Sequence, residues 1–538
     1  MYKKPENEKN LSYEPGTIER EDLLSEIEKI KKETIEIPLI IGGKKLKTDE
    51  VVDVRCPHDH SCILARVHLG NSDQLLTAVD AAMQARARWS SLEWERRTAI
   101  FRKAADLLSH EERIRHVAAT MMNLSKNPFE AELDVVEFID FLRFNTFFVQ
   151  QISTENIDQA GNEMNRLDWR PLEGFVLAVS PFNFYALGGN LSTTSAMLGN
   201  VVLWKPATAA VFANYEIIKL LMRAGLPHGV INFIPFRSMH SDVLFQHPDF
   251  GGLHFTGSYD TLGKLWMEIA KNLPRYKNFP RIVGESGGKD FIFAHRSADI
   301  NHVAMSIIRG GFESQGQKCS AASRVYVPKS MWQSMKALMK EEISKIPYGP
   351  VDDFQNFMGA IIDEDAYKKV VSYICYAQSN PDYEIVAGGT YDNTKGWFVA
   401  PTLIKTTNPK GKLMSEEIFG PVVTVFVYDD DNYKETLQLC DSTSPYALTG
   451  SIFATDREAI TTAEAILRYS AGNFYINDKP TGSVVGRQPF GGARYSGTND
   501  KTGLWLSLLR WVTPRTIKET MIPTYQWKRE FMQSRQGK

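Results

Sequence analysis

From Gly174 onward, short apolar runs alternate with helical windows, and no other feature limits the fold as much. Residues 175–179, 201–204 and 230–234 are apolar runs of strand length, each separated from the next by enough chain for a helix. After Lys289 the pattern begins again at 291–293 and 323–327. Strand, helix and strand in succession imply parallel sheets covered by crossover helices, so the class is α/β. Two such blocks meeting near residue 288 imply two domains with a cleft between them, where small ligands bind. A chain of 538 residues is long enough for two or three sizeable cores.

Ahead of the first block, residues 1–36 read as an arm with one short helix, its apolar face carrying Leu23, Leu24, Ile27 and Ile30. Residues 37–41 read as a strand turned by Gly42-Gly43. Residues 78–89, 96–108 and 131–149 read as helices, the last rich in Phe. Near the end, 510–522 is a β-prone run.

Two glycine-lined segments carry the chemistry. Cys319 lies in Gly316-Gln317-Lys318-Cys319-Ser320-Ala321, where small neighbours leave room at its sulfur. Glu285 lies in Gly284-Glu285-Ser286-Gly287-Gly288-Lys289. A nucleophile and a distant base on such segments point to covalent catalysis on a small electrophile. A single cysteine taken alone is more often a small buried hydrophobe.

The 62 basic and 64 acidic residues give a net charge of −2 without a long block of either sign, so nucleic acid is not an expected partner. Five cysteines without paired spacing argue against a disulfide framework and for a reducing compartment. The stretch from Cys56 to Cys62 holds two histidines. It lacks a second ligand pair and reads as a turn between strands, so no metal is expected. No apolar run is long enough to span a bilayer, and no membrane partner is expected. The first ten residues have neither an apolar signal core nor an Arg-rich, acid-poor composition. The plain reading is a bacterial cytoplasmic protein.

Six motifs occur in the order typical of aldehyde dehydrogenases, and the chain resembles that superfamily from about Leu39 to about Ile522. They are Ser180-Pro181-Phe182-Asn183-Phe184, Trp204-Lys205-Pro206, Phe255-Thr256-Gly257-Ser258, the Glu285 and Cys319 segments, and Glu416-Glu417-Ile418-Phe419-Gly420-Pro421. Three further segments, 141–145, 477–486 and 488–500, resemble the branch that oxidises glutamate γ-semialdehyde to glutamate in proline catabolism.

The resemblance implies a Rossmann-type NAD-binding domain at 37–153 and 173–287. It also implies an α/β catalytic domain at 288–495 and a small β oligomerisation element at 154–172 and 506–525. It implies NAD as cofactor, a homodimer or higher homo-oligomer, functional pairing with a proline dehydrogenase, and the mitochondrial matrix if the source is eukaryotic. Cys319 would be the nucleophile, Glu285 the base, and Asn183 an oxyanion donor. Lys205, Gly257, Ser258, Glu417 and Phe419 would hold the cofactor. Ser320, Gly482 and Ser483 would take the substrate's carboxylate, Phe184 and Phe490 its aliphatic stem, and Glu132 its ammonium.

Several of these residues carry a plainer reading too. With G-x-G-x-x-G absent, Thr256-Gly257-Ser258 taken alone is more often a turn than a phosphate site. Taken alone, Asn183 is more often a turn former and Lys205 more often a surface lysine, and Glu132 is equally part of a solvated helix face. Thr208 stands where many NAD-preferring relatives carry Glu, so NAD over NADP follows from the branch alone. A dehydrogenase of another aliphatic semialdehyde, or a noncatalytic protein on the same fold, stays open.

Overall fold

The computed structural model describes residues 2–155 and 157–532. Met1, in the expected arm, and Asn156, in the expected oligomerisation element, lie outside the described residues.

Two seven-stranded sheets organise the chain. The first runs in the order Arg281–Glu285, Phe250–Thr256, Phe175–Val179, Val201–Lys205, Ile231–Phe233, Leu39–Ile41, Lys44–Leu46. Its first five strands are parallel, with Phe175 opposite Val201 and Val202 opposite Ile231. The second runs Tyr383–Ala387, Thr402–Thr406, Val422–Tyr428, Ala322–Pro328, Asp290–Ala294, Thr449–Phe453, Asn473–Ile476, with only its first strand antiparallel. Central strands such as Val201–Lys205 are buried almost throughout, which explains continuous apolar runs in place of alternation. Ser286-Gly287-Gly288-Lys289 links the two sheets, since Glu285 ends a strand of the first and Asp290 begins a strand of the second.

Residues 37–41 differ from expectation. The run splits into Ile35–Ile37, paired with Asp59–His68, and Leu39–Ile41 at the edge of the first large sheet. Pro38 stands between them. It has no N–H for a ladder and a fixed φ, so the chain changes sheets there. The arm's helix spans Ile18–Lys32 and buries Leu23, Ile27 and Ile30, whereas Leu24 is exposed one position round from that stripe. The segment from Cys56 to Cys62 turns between Val51–Cys56 and Asp59–His68.

Helix Pro128–Ser153 positions the site. Asn127 caps it, its side-chain oxygen accepting from the Glu130 N–H at 2.9 Å, and Pro128 fills a first-turn position whose N–H would have had no helical partner. Glu163–Pro171 and Val512–Thr520 pair antiparallel as a separate two-stranded sheet. Among the described residues no helix is long and apolar enough to cross a membrane.

Candidate active site

Cys319 sits on the loop between helix Ile300–Phe312 and strand Ala322–Pro328. Ser314, Gln315 and Gly316 take left-handed φ of 52°, 58° and 63° in succession. At Gly316 a Cβ would strike the backbone of Gly420, so only glycine fits. Buried side chains repay this unusual path. Gln315 donates to the Ser125 and Ala360 carbonyls at 2.7 and 3.0 Å, and the Gln317 side chain accepts from the Ile362 N–H at 3.0 Å. Lys318, also buried, pairs with Glu130 at 2.9 Å and Glu313 at 3.3 Å. A loop held at so many points presents its thiol in one place.

Cys319 and Glu285 line one cavity. Burial raises the Cys319 pKa well above the usual thiol range, and the carboxylates of Asp290, Glu285 and Glu417 raise it further. Glu285 caps the end of its strand, and one carboxylate oxygen accepts from the Gly492 N–H at 3.3 Å. Burial pushes its carboxyl well above the ordinary range. Neither group ionises readily in this setting.

Asn183 is buried, and its amide nitrogen donates to the Gln317 carbonyl at 3.1 Å, close to the thiol in sequence and space. An amide nitrogen carries two hydrogens, and this bond uses one. Ser320 lines the cavity and donates to the Thr481 hydroxyl at 2.8 Å, joining the thiol loop to the 481–485 loop. Gly482, at φ 96°, and Ser483 line the cavity, as do Phe184 and Phe490.

Glu132 is not among the cavity's residues. It is fully buried, and it accepts from Arg113, from the Leu11 N–H at 2.8 Å and from the Tyr13 hydroxyl at 2.7 Å. Helical phase explains the difference. Leu133, Glu137, Asp140 and Phe141 form the stripe facing the cavity, and five residues at about 100° each put Glu132 roughly 140° round the helix from Glu137. Of the helix's acids on the cavity wall, Glu130 pairs with Lys318, Asp134 with Lys126 and Asp140 with Asn7, and the one without a partner among the described residues is Glu137, which sequence reasoning missed. Burial first, then Asp134, pushes its carboxyl up to about 8.

On the cofactor side, Lys205 ends its strand with its ammonium 5.4 Å from the Phe236 ring centre. It has no hydrogen-bond acceptor among the described residues, and burial lowers its pKa. Two strands away on the same sheet edge, Gly257 and Ser258 follow Phe250–Thr256, and Ser258 caps helix Tyr259–Lys271. Glu417 accepts from the Gly288 N–H at 2.9 Å, and Gly287 must lack a Cβ to admit its carboxylate. Phe419, at φ 61°, meets Phe182 edge-on at 5.7 Å. An unpaired ammonium and a capped helix N-terminus at the carboxyl end of a parallel sheet fit a dinucleotide's ribose and pyrophosphate.

A profile of the aldehyde dehydrogenase family matches residues 45–517. Among curated proteins, "Delta-1-pyrroline-5-carboxylate dehydrogenase, mitochondrial" of Dictyostelium discoideum is 48% identical over 534 residues, covering 98% of this chain and 96% of that protein. The crystal structure of the Delta-pyrroline-5-carboxylate dehydrogenase from Mycobacterium tuberculosis bound with NAD superposes with a TM-score of 0.95 at 44% identity, over 98% of both chains. Proline utilization A (PutA) from Bdellovibrio bacteriovorus matches with a TM-score of 0.92 at 28% identity, over 97% of this chain and 54% of that one.

Proposed function

The chain belongs to the aldehyde dehydrogenase family, and from that premise we propose that it oxidises L-glutamate γ-semialdehyde, the open form of Δ1-pyrroline-5-carboxylate, to L-glutamate with NAD in proline catabolism. One observation carries the reading: a single cavity joins Cys319 and Glu285 to Ser320, Gly482, Ser483 and Glu137. A thiol and base for the aldehyde thus share a space with donors for a carboxylate and an acceptor for an ammonium. Reduction of NAD by the purified protein with pyrroline-5-carboxylate, set against propanal and butanal, tests it. Faster turnover of the simple aldehydes would sink it.

Glu285 takes the proton of the Cys319 thiol as the sulfur adds to the aldehyde carbon. The oxygen becomes an oxyanion, held by the free amide N–H of Asn183 and the backbone N–H of Cys319, each donor worth about 3–4 kcal/mol. Lys205, Gly257, Ser258, Glu417 and Phe419 would hold NAD, which would supply the acceptor for the hydride that leaves that carbon. Glu285 releases the thiol's proton to solvent, then accepts a proton from the water that cleaves the resulting thioester and passes it to the departing Cys319 sulfur, which releases the acid and restores the thiol. Ser320, Gly482 and Ser483 hold the carboxylate of the substrate, Phe184 and Phe490 flank its stem, and Glu137 meets its ammonium.

Replacing Ser483 with Ala should cut kcat/KM for the semialdehyde by one to two decades, the worth of a hydrogen bond to a charged group at roughly 1.5–3 kcal/mol, and leave propanal nearly untouched. Equal losses on both substrates would show that the loop supports the catalytic centre instead. Glu137 makes a pH prediction. Its carboxyl, raised to about 8, must lose its proton to pair with the ammonium. The KM for the semialdehyde should therefore fall between about pH 6 and pH 9, after correction for ring opening, and Glu137→Gln should flatten that slope. An unchanged slope in the variant would remove Glu137 from the site.

The separate sheet of Glu163–Pro171 and Val512–Thr520, with Met164, Met521 and Ile522 exposed beside it, suits pairing with a second copy in a homo-oligomer. The match to part of a proline utilization protein supports functional pairing with a proline dehydrogenase. The mitochondrial naming of relatives supports a mitochondrial location for a eukaryotic source, and the sequence reading of a bacterial cytoplasmic protein stands as the alternative.

A further inference from the structure

The carboxylate of Glu132, buried behind the cavity, is bound to the first thirteen residues of the chain. Leu11 and Tyr13 donate to it, and Arg113, bonded to the same carboxylate, also reaches the Lys9 carbonyl and Glu8. Glu8 in turn accepts from Ser109 at 2.8 Å and Arg143 at 2.6 Å. This clasp lays an extended segment along helix Pro128–Ser153 and brings Asn7 and Glu8 into the wall of the cavity that holds Cys319.

Asn7 makes the decisive contacts. Its side-chain nitrogen donates to Asp140 at 2.8 Å and to the Val485 carbonyl at 2.9 Å. The Glu8 N–H takes the other oxygen of Asp140 at 2.8 Å. Val485 lies two residues beyond Ser483, so one amide ties the 481–485 loop to the helix carrying Glu137. The next residue, Gly486 at φ 78°, approaches the Phe144 ring so closely that a Cβ would strike it. Arg143 and Phe144 belong to the 141–145 segment that sequence reading singled out. Their contacts explain the pattern: Arg143 holds the arm, Phe144 the loop.

We propose that the arm is a built part of the substrate site, and that Asn7 is a positioning residue which sets the 481–485 loop for a substrate bearing an amino-acid head. Asn7 acts through the loop and touches no reacting atom. Losing it frees the loop, so binding of the head weakens while the chemistry at Cys319 continues. The inference rests on the substrate reading above.

The test uses the full chain with Asn7→Ala and Asn7→Asp, both checked for an unchanged melting temperature. With glutamate γ-semialdehyde, Asn7→Ala should raise KM up to about tenfold, the upper scale of the neutral hydrogen bond lost to the Val485 carbonyl, with kcat within about twofold. Asn7→Asp, which sets a like charge against Asp140, should raise it further. Propanal oxidation should keep its parental kcat/KM, and hydrogen exchange across 481–487 should quicken. An unchanged KM in the folded Ala variant would overturn the proposal, as would equal losses on propanal. A parent enzyme indifferent to the amino-acid head would overturn the substrate reading itself and the proposal with it, a result visible before any variant is made.

Discussion

Cys319→Ala should leave no measurable NAD reduction with any aldehyde, a fall of about 10⁴-fold or more, while NAD binds within about twofold of the parent. The size follows from the step removed. Without sulfur no thiohemiacetal forms, and an aldehyde carbon without a tetrahedral adduct is a poor hydride donor. Cofactor affinity should survive because Lys205, Gly257 and Ser258 belong to the edge of the first sheet, whereas the thiol loop is held by Gln315, Gln317 and Lys318. Alanine removes one sulfur atom and breaks none of those bonds. Steady-state turnover and calorimetric NAD titration of the same preparation check both halves. Appreciable turnover in the alanine enzyme would mean that another group attacks the substrate.

How far the site can be read in advance depends on whether its parts are contiguous. Cys319 and Glu285 were legible because each lies in a short glycine-rich segment whose backbone demands show in the residues themselves. Gly316 and Gly287 are examples, having backbone or a carboxylate where a Cβ would be. The parallel sheets were legible because a strand buried on both faces leaves an unbroken apolar run. Pro38 offered a signal too, since proline inside a short strand marks a break. Glu137 was not legible. Choosing between Glu132 and Glu137 requires knowing which stripe of a helix buried on most sides faces a cavity, and composition along 131–149 does not say. Least legible was Asn7, whose bond to Val485 spans 478 positions. An asparagine in a polar arm carries no local mark of such a partner, and only the folded chain brings it there.

Glu285→Gln should separate the two halves of the reaction. The amide keeps the shape and can still accept from the Gly492 N–H, so the fold should hold, but it takes no proton at working pH. Hydrolysis of the Cys319 thioester then lacks its base and should slow by about 10²–10⁴-fold. Thiol addition loses the same base, but a thiolate also forms by proton loss to solvent, increasingly as pH rises. An activated water has no such alternative. Acyl-enzyme should therefore accumulate, giving a burst of NADH close to one per site and then a slow steady state. The pH profile supplies a second check. Burial raises the Glu285 carboxyl, so its basic form grows as pH climbs through that raised value, and the parental rate should rise with it. The glutamine enzyme should lose that limb and keep only the dependence of the Cys319 thiol, also raised by burial. Full turnover in the variant, with no adduct on Cys319 by mass spectrometry after quenching, would rule out Glu285 as the base. A slow rate without adduct would place its work at the thiol instead of the water. The mass of the trapped species would also identify the substrate's acyl group, tying the identity of the base to the identity of what it helps to hydrolyse.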